Sequence, residues 1–192
     1  MPFLDYRAIA EMGFKKLGRN VKISDRAAVH NPESIEIGDN SRIDDFCVLS
    51  GKITIGRNVH IAVFCNLAGG EMGITMRDFS GLAYGVNVFS QSDDYTGRTL
   101  TNPTVPDEYK NEVKKAVLLE KHTIVGASSI IFPGVVLKEG TSVGAMSMVT
   151  KTTEPWSIYF GVPAKRIKAR SRHLLELETA YVRETAGADQ AN

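Results

Sequence analysis

The side chains best able to do chemistry in this 192-residue chain are few and scattered. Four histidines, His30, His60, His122 and His173, stand apart, with no pair four or five positions from one another. Three histidines converging on zinc therefore have no local nucleus here, and no metal is expected. Neither Cys47 nor Cys65 belongs to a Cys-x-x-Cys pair of the sort that holds a metal. Asp93 and Asp94 stand side by side in the polar string SQSDDYTG. Adjacent aspartates at such a place either cap a turn or offer a proton acceptor, and both readings stay open. Lys151, Lys165, Arg166 and Lys168 gather toward the carboxyl end, as a solvated basic face or as partners for a strongly anionic ligand.

Bulk properties narrow the partners. Lysine and arginine number 23 against 22 aspartate and glutamate, a net charge of +1, so no general attraction to nucleic acid or an acidic membrane is expected. MPFLDYRAIAEMGFKKLG lacks the uninterrupted apolar core of a secretory signal, and nothing later approaches the roughly 20 apolar residues that span a bilayer. A cytoplasmic, soluble protein of one domain is the expectation.

What must position the reactive groups is a repeat. An aliphatic residue returns every sixth position at Ile37, Ile43, Leu49, Ile55, Ile61 and Leu67, resumes at Met76, Leu82 and Val88, and returns at Leu119, Val125, Ile131, Leu137, Val143 and Val149. The fifth place of most hexads is small or β-branched, as at Ser41, Cys47, Val59, Cys65, Val86, Ser129 and Ser147. Neither the 3.6-residue period of a helix nor the period of 2 of a strand produces this. A triangular coil does: three hexads make a turn of about 18 residues, and turns stack at the ordinary strand spacing of roughly 4.8 Å. Cys47 and Cys65, 18 positions apart in sequence, then stack in consecutive turns as small interior residues.

The expected layout is a helix over residues 1–18, the coil over 20–168 with an excursion at 90–117, and a helix over 169–186, with a polar tail beyond. Tyr6, Ile9 and Leu17 before the coil, and Leu174, Leu177 and Tyr181 after it, form apolar stripes at helical spacing, suited to covering the coil's ends. An excursion this long is usually functional, and flat coil faces need one to make a concave site against a neighbour.

The hexads resemble those of the hexapeptide acyltransferases, whose fold is a mainly β, left-handed parallel β-helix. The closing segment GAMSMVTKTTEPWSIYFGVPAKRIKAR is similar to that family's carboxyl-terminal signature. The resemblance implies a homotrimer with sites between subunits and an acyl-CoA co-substrate lying along a coil edge. By it, Gly126, Ala127, Gly144 and Ala145 meet the pantetheine arm, and Lys151, Lys165, Arg166 and Lys168 approach the phosphates. Trp156 either stacks on adenine or packs beneath the end helix.

Sugar acetyltransferases of the family carry a loop histidine as general base, and here Asp93 or Asp94 falls at that place. A sugar hydroxyl has a pKa far above a carboxylate's value of about 3.9, whereas an amine near pH 8 is partly neutral already, so a carboxylate suits N-acylation better. FSGLAYGVNVFSQSDDYTG, TNPTVP and NVHIAVF resemble the subgroup acylating nucleotide-linked 4-amino-4,6-dideoxyhexoses. That likeness implies transfer of acetyl, or another short acyl group, to the amine of such a sugar for surface polysaccharide synthesis. Asp94 is then the base, Asp93 shapes the loop or binds sugar, and Tyr84, Ser90 and Tyr95 contact substrate. His60 is a second proton carrier or a surface histidine bonded to a neighbouring corner. A sugar O-acetyltransferase is the rival; a γ-type carbonic anhydrase and a non-catalytic scaffold are the remaining alternatives.

Overall fold

In the computed structural model, which describes residues 2–189, the chain winds as a parallel β-solenoid of about 7 turns, the mainly β, left-handed coil that the hexads require. Three faces hold 6, 8 and 6 strands, all parallel save the last strand of the second. The first face begins with Lys16–Leu17 and Ile35–Ile37, the second with Lys22–Ile23 and Arg42–Ile43, and the third with Ala28–Val29 and Val48–Ser50. Register follows the repeat: Ile37 pairs with Ile55, Ile43 with Ile61 and Leu49 with Leu67, each one turn on.

Each repeated aliphatic points inward, and Ile37, Ile43, Leu49, Ile61 and Leu67 are all 0% exposed. The fifth-place residues do a second job. Ser41 Oγ donates to the Gly56 carbonyl at 2.8 Å and accepts from Val59 N at 3.1 Å, so one hydroxyl ties two successive turns. Ser129 repeats this with Gly144 and Ser147. Cys47 and Cys65 are buried and free, each thiol donating to a carbonyl one turn on, Ala62 or Ala83, at 3.0 Å. They are interior residues of the coil.

Corners need left-handed backbone. Between the first and second faces, Asn20, Asn40 and Asn58 take it at φ 54–58°, as asparagine does most readily among residues with a Cβ. Asn20 donates to Asn40 across one turn at 2.9 Å. Higher up the same corner, Phe79, His122 and Trp156 replace them. Gly140 lies beneath Trp156, and a Cβ there would sit 2.5 Å from ring carbons of the indole.

The flanks differ from expectation. Helix α1 is Tyr6–Glu11, capped by Asp5, whose Oδ1 accepts from Ala8 N at 2.8 Å; Gly13 at φ 77° ends the element, and Lys16–Leu17 already belongs to the coil. Parallel winding stops before residue 168. Ser157–Gly161 joins the second face and turns at Gly161 and Pro163 into antiparallel Ala164–Ala169. Helix α2, Leu174–Asp189, starts later than residue 169 and passes Ala186; residues 190–192 lie outside the described residues. The excursion is ordered at its root, where Gln91–Ser92 pairs antiparallel with Val113–Lys114. No helix among the described residues is long and apolar enough to cross a membrane.

Candidate active site

A groove of about 640 Å³ runs along the second face beneath α2. Its floor is the coil, with His60, Ala62, Tyr84 and Ile124, and its roof is Leu177 and Tyr181 of α2. The first–second corner holds the roof in place. His122, 6% exposed, stacks on Phe79 at 5.4 Å and meets Glu178 Oε2 through Nε2 at 2.8 Å. Lys121 reaches the other oxygen of Glu178 at 2.6 Å. Burial works against the charged form of Glu178, but hydrogen bonds from Lys121 and His122 outweigh it and hold the carboxyl below its ordinary pKa. Arg170 donates to the carbonyls of His122 and Gly140, and Arg172 lies over Trp156 at 5.5 Å. Trp156, 8% exposed, is packed against Gly140, His122 and Arg172, just ahead of α2.

His60 opens onto the groove floor. Its Nε2 lies 2.9 Å from Asp44 Oδ2, and Asp44 Oδ1 accepts from Arg42 Nε at 2.6 Å. Asp44 itself is 3% exposed. Burial pushes its pKa up, yet the bonds from Arg42 and His60 bring it below the usual value, so the carboxylate stays charged. Sequence reading missed Asp44, although the period could have found it. Arg42 and His60 pair one turn apart. At the place of Asp44, the later turns carry Ala62, Ala83, Gly126 and Gly144, and a charge in that small-residue column is the signal.

Asp93 and Asp94 lie elsewhere, where the excursion leaves the third face. Asp94 Oδ1 accepts from Thr96 N at 2.8 Å, and Oδ2 accepts from the hydroxyls of Thr96 and Thr99 at 2.8 and 3.4 Å. The Thr96 backbone bond, then its hydroxyl, holds this half-buried carboxyl below the ordinary range. Asp93 accepts from Asn102 N at 3.2 Å and so braces the loop. From Tyr84 to Ser90 the chain crosses the whole third face, roughly 20 Å at about 3.3 Å per residue. One protomer therefore separates the aspartates from His60 and Tyr84.

Other expected site residues divide. Tyr84 and Tyr95 are 64% and 89% exposed, free to meet a ligand. Ser90 is not: it is 1% exposed, and its hydroxyl donates to the Gly69 and Ala68 carbonyls, fastening the root of the excursion. Gly126 and Gly144 are explained by packing, since a Cβ would meet Ala145 N at 2.4 Å in one case and the Phe160 ring at 2.3 Å in the other. Their N–H groups bond to Val143 and Tyr159 carbonyls, leaving Ala127 and Ala145 on the exposed side of the same corner. Arg166 is committed to Glu154 and Ser157, both at 3.0 Å. Lys151, Lys165 and Lys168 are exposed with no ion pair among the described residues, which suits them to anionic phosphates. No group of three histidine, cysteine or acidic side chains able to hold a metal occurs among the described residues.

Residues 34–69 match the family described as bacterial transferase hexapeptide (six repeats). The chain is 42% identical over 184 residues to the dTDP-4-amino-4,6-dideoxy-D-glucose acyltransferase of Escherichia coli, covering 94% of this chain and 95% of that one. Among solved structures it is similar to AntD, an N-acyltransferase from Bacillus cereus in complex with dTDP and 3-hydroxybutyryl-CoA: 48% identity, TM-score 0.95, covering 96% of this chain and 98% of that one. A variant of the same enzyme, in complex with dTDP-4-amino-4,6-dideoxyglucose and coenzyme A, matches at 49% identity and TM-score 0.94, covering 95% and 98%. Likeness of this extent, on a coil whose register and closing hairpin are intact, makes this chain an acyl-CoA-dependent acyltransferase of the hexapeptide-repeat family, in the group of the dTDP-4-amino-4,6-dideoxyglucose acyltransferases.

Proposed function

We propose that this chain transfers a short acyl group from acyl-CoA to the amino group of a dTDP-linked 4-amino-4,6-dideoxy sugar. The observation that carries this is the likeness to AntD over nearly the whole of both chains, in a complex holding a thymidine nucleotide and an acyl-CoA. The chain's own residues suit the assignment. Lys151, Lys165 and Lys168, exposed and with no ion pair among the described residues, present positive charge in and before the closing hairpin for the phosphates of the donor, and half-buried Ala127 and exposed Ala145 lie at a corner open to its extended arm.

The separation of His60 and Tyr84 from Asp93 and Asp94 supports a homotrimer, in which the excursion of one subunit completes the groove of the next. A cytoplasmic setting is part of the same reading. In this arrangement Asp94, ionised at neutral pH, accepts a hydrogen bond from the acceptor's amine and takes its proton as nitrogen attacks the thioester carbonyl. Asp93 holds the loop, and Tyr84 and Tyr95 line the acceptor. Backbone N–H groups aimed at the developing oxyanion are worth several kcal/mol in acyl transfers of this kind.

Thiol release from acetyl-CoA tests the proposal, with dTDP- and UDP-linked 4-amino and 3-amino sugars compared against plain sugars. Turnover confined to nucleotide-linked amino sugars is expected. Preference for plain hydroxyl sugars would replace the reading with sugar O-acetylation.

A further inference from the structure

The buried carboxylate of Asp44 has no part in holding the coil that an apolar residue could not play, because the same place is filled by Ala62 and Ala83 in the next turns. Keeping a charge at 3% exposure is costly unless it is fully bonded, and Asp44 is bonded only by using His60 as one partner and Arg42 as the other. That arrangement fixes the imidazole through Nε2 and leaves Nδ1 without a hydrogen bond among the described residues, on a side chain half exposed to the groove. Other titratable groups lining the groove are spoken for or ill suited: His122 is buried against Glu178, Arg170 bonds to carbonyls, and Tyr84 and Tyr181 are phenols. His60 is the exposed imidazole of the groove, the kind of group suited to passing a proton.

We propose that His60 is the proton donor to the leaving sulfur, and that Asp44, with Arg42 behind it, is the positioning residue that holds it for this task. The inference rests on the acyl-transfer reading above. Asp94 is held below the ordinary carboxylate range and cannot keep a proton for the sulfur at neutral pH. As the amine bonds to the carbonyl carbon and the C–S bond breaks, its electron pair goes to sulfur. Sulfur takes the proton from Nδ1 of the His60 imidazolium, a favourable transfer because an alkyl thiol near pKa 8.5 is the weaker acid. Neutral His60 then regains a proton from solvent, and Asp94 returns to solvent the one it took from the amine.

The test compares wild type, His60→Gln and Asp44→Asn across pH, with acetyl-CoA and with an acetyl thioester of an acidic aromatic thiol, whose leaving group needs no proton. His60→Gln is expected to lower kcat with acetyl-CoA about 100-fold or more at little change in KM, and to recover to within about fivefold of wild type with the aromatic thioester. Asp44→Asn is expected to lower kcat about tenfold. That loss is expected with acetyl-CoA and not with the aromatic thioester, because Asp44 acts only through the proton that His60 gives. Equal losses with both donors, or kcat within twofold of wild type in His60→Gln, would overturn the proposal. If Asp44→Asn does not fold, the exposed His60 variant decides alone. A wild type inactive on every amino sugar would instead refute the acyl-transfer reading itself.

Discussion

Replacing Gly140 by alanine separates backbone strain from packing at the seat of α2. Gly140 has φ 68°, and a Cβ there would lie 2.5 Å from Cδ2 and Cε3 of Trp156. The left-handed backbone costs a residue with a Cβ about 1–2 kcal/mol. Overpacking a filled site adds about 1–3 kcal/mol, since the indole must shift and is pinned by the Arg172 guanidinium and by the Trp156 carbonyl accepting from Arg170 N at 2.8 Å. The sum, about 2–5 kcal/mol, corresponds to a fall in Tm of roughly 4–20 °C for a chain of this length. Gly97→Ala is the control. Its φ is 77° and a Cβ would meet nothing within 4 Å, so it carries the backbone cost alone. Circular dichroism melts of both variants are the assay, with limited proteolysis at residues 170–173 reporting whether α2 has come loose. Equal melting temperatures for the two variants would refute the claim that the Gly140–Trp156 contact seats the helix.

Further outcomes follow from the same geometry. Asp94→Asn should cut turnover at least 100-fold while acyl-CoA binding, followed by calorimetry, stays within about twofold; full activity would remove Asp94 as the base. Neutralising Lys151, Lys165 and Lys168 together to Gln should weaken CoA binding about tenfold or more and flatten its salt dependence, whereas Arg166→Gln should chiefly lower Tm by freeing Glu154 and Ser157. The stabilisation from Glu178, whose carboxyl is held low, is complete above the unfolded value of about 4.3 and is lost as pH falls through the folded one. Glu178→Gln should therefore melt below wild type at pH 7, and the two curves should converge as pH falls below the unfolded value and through the folded one.

The coil was legible because a period of six survives any single exception, and the inward residues from Ile37 to Val149 follow it. Its ends were not, because capping depends on contacts far apart in sequence. Trp156 finds Gly140 and His122, and Glu178 finds His122 across 56 positions. Ser90 illustrates another limit: a hydroxyl beside a reactive loop reads as a ligand contact, but here it is consumed by the Gly69 and Ala68 carbonyls of the turn before. Gly126 and Gly144 carry a structural demand that their family role does not announce, since a Cβ at either would strike the coil's own next turn or Phe160. Asp44 was hidden for the opposite reason. The string RIDDFC alone does not mark it as chemical; the small-residue column it interrupts does, and stacking sets it beside His60.

The chemical nature of the product tests the central claim most directly. Incubating the enzyme with acetyl-CoA and dTDP-4-amino-4,6-dideoxyglucose should yield a nucleotide sugar heavier by one acetyl group, and the bond should survive hydroxylamine, as an amide does. A hydroxylamine-labile ester, or acetylation of a sugar lacking the amine at a comparable rate, would contradict N-acylation.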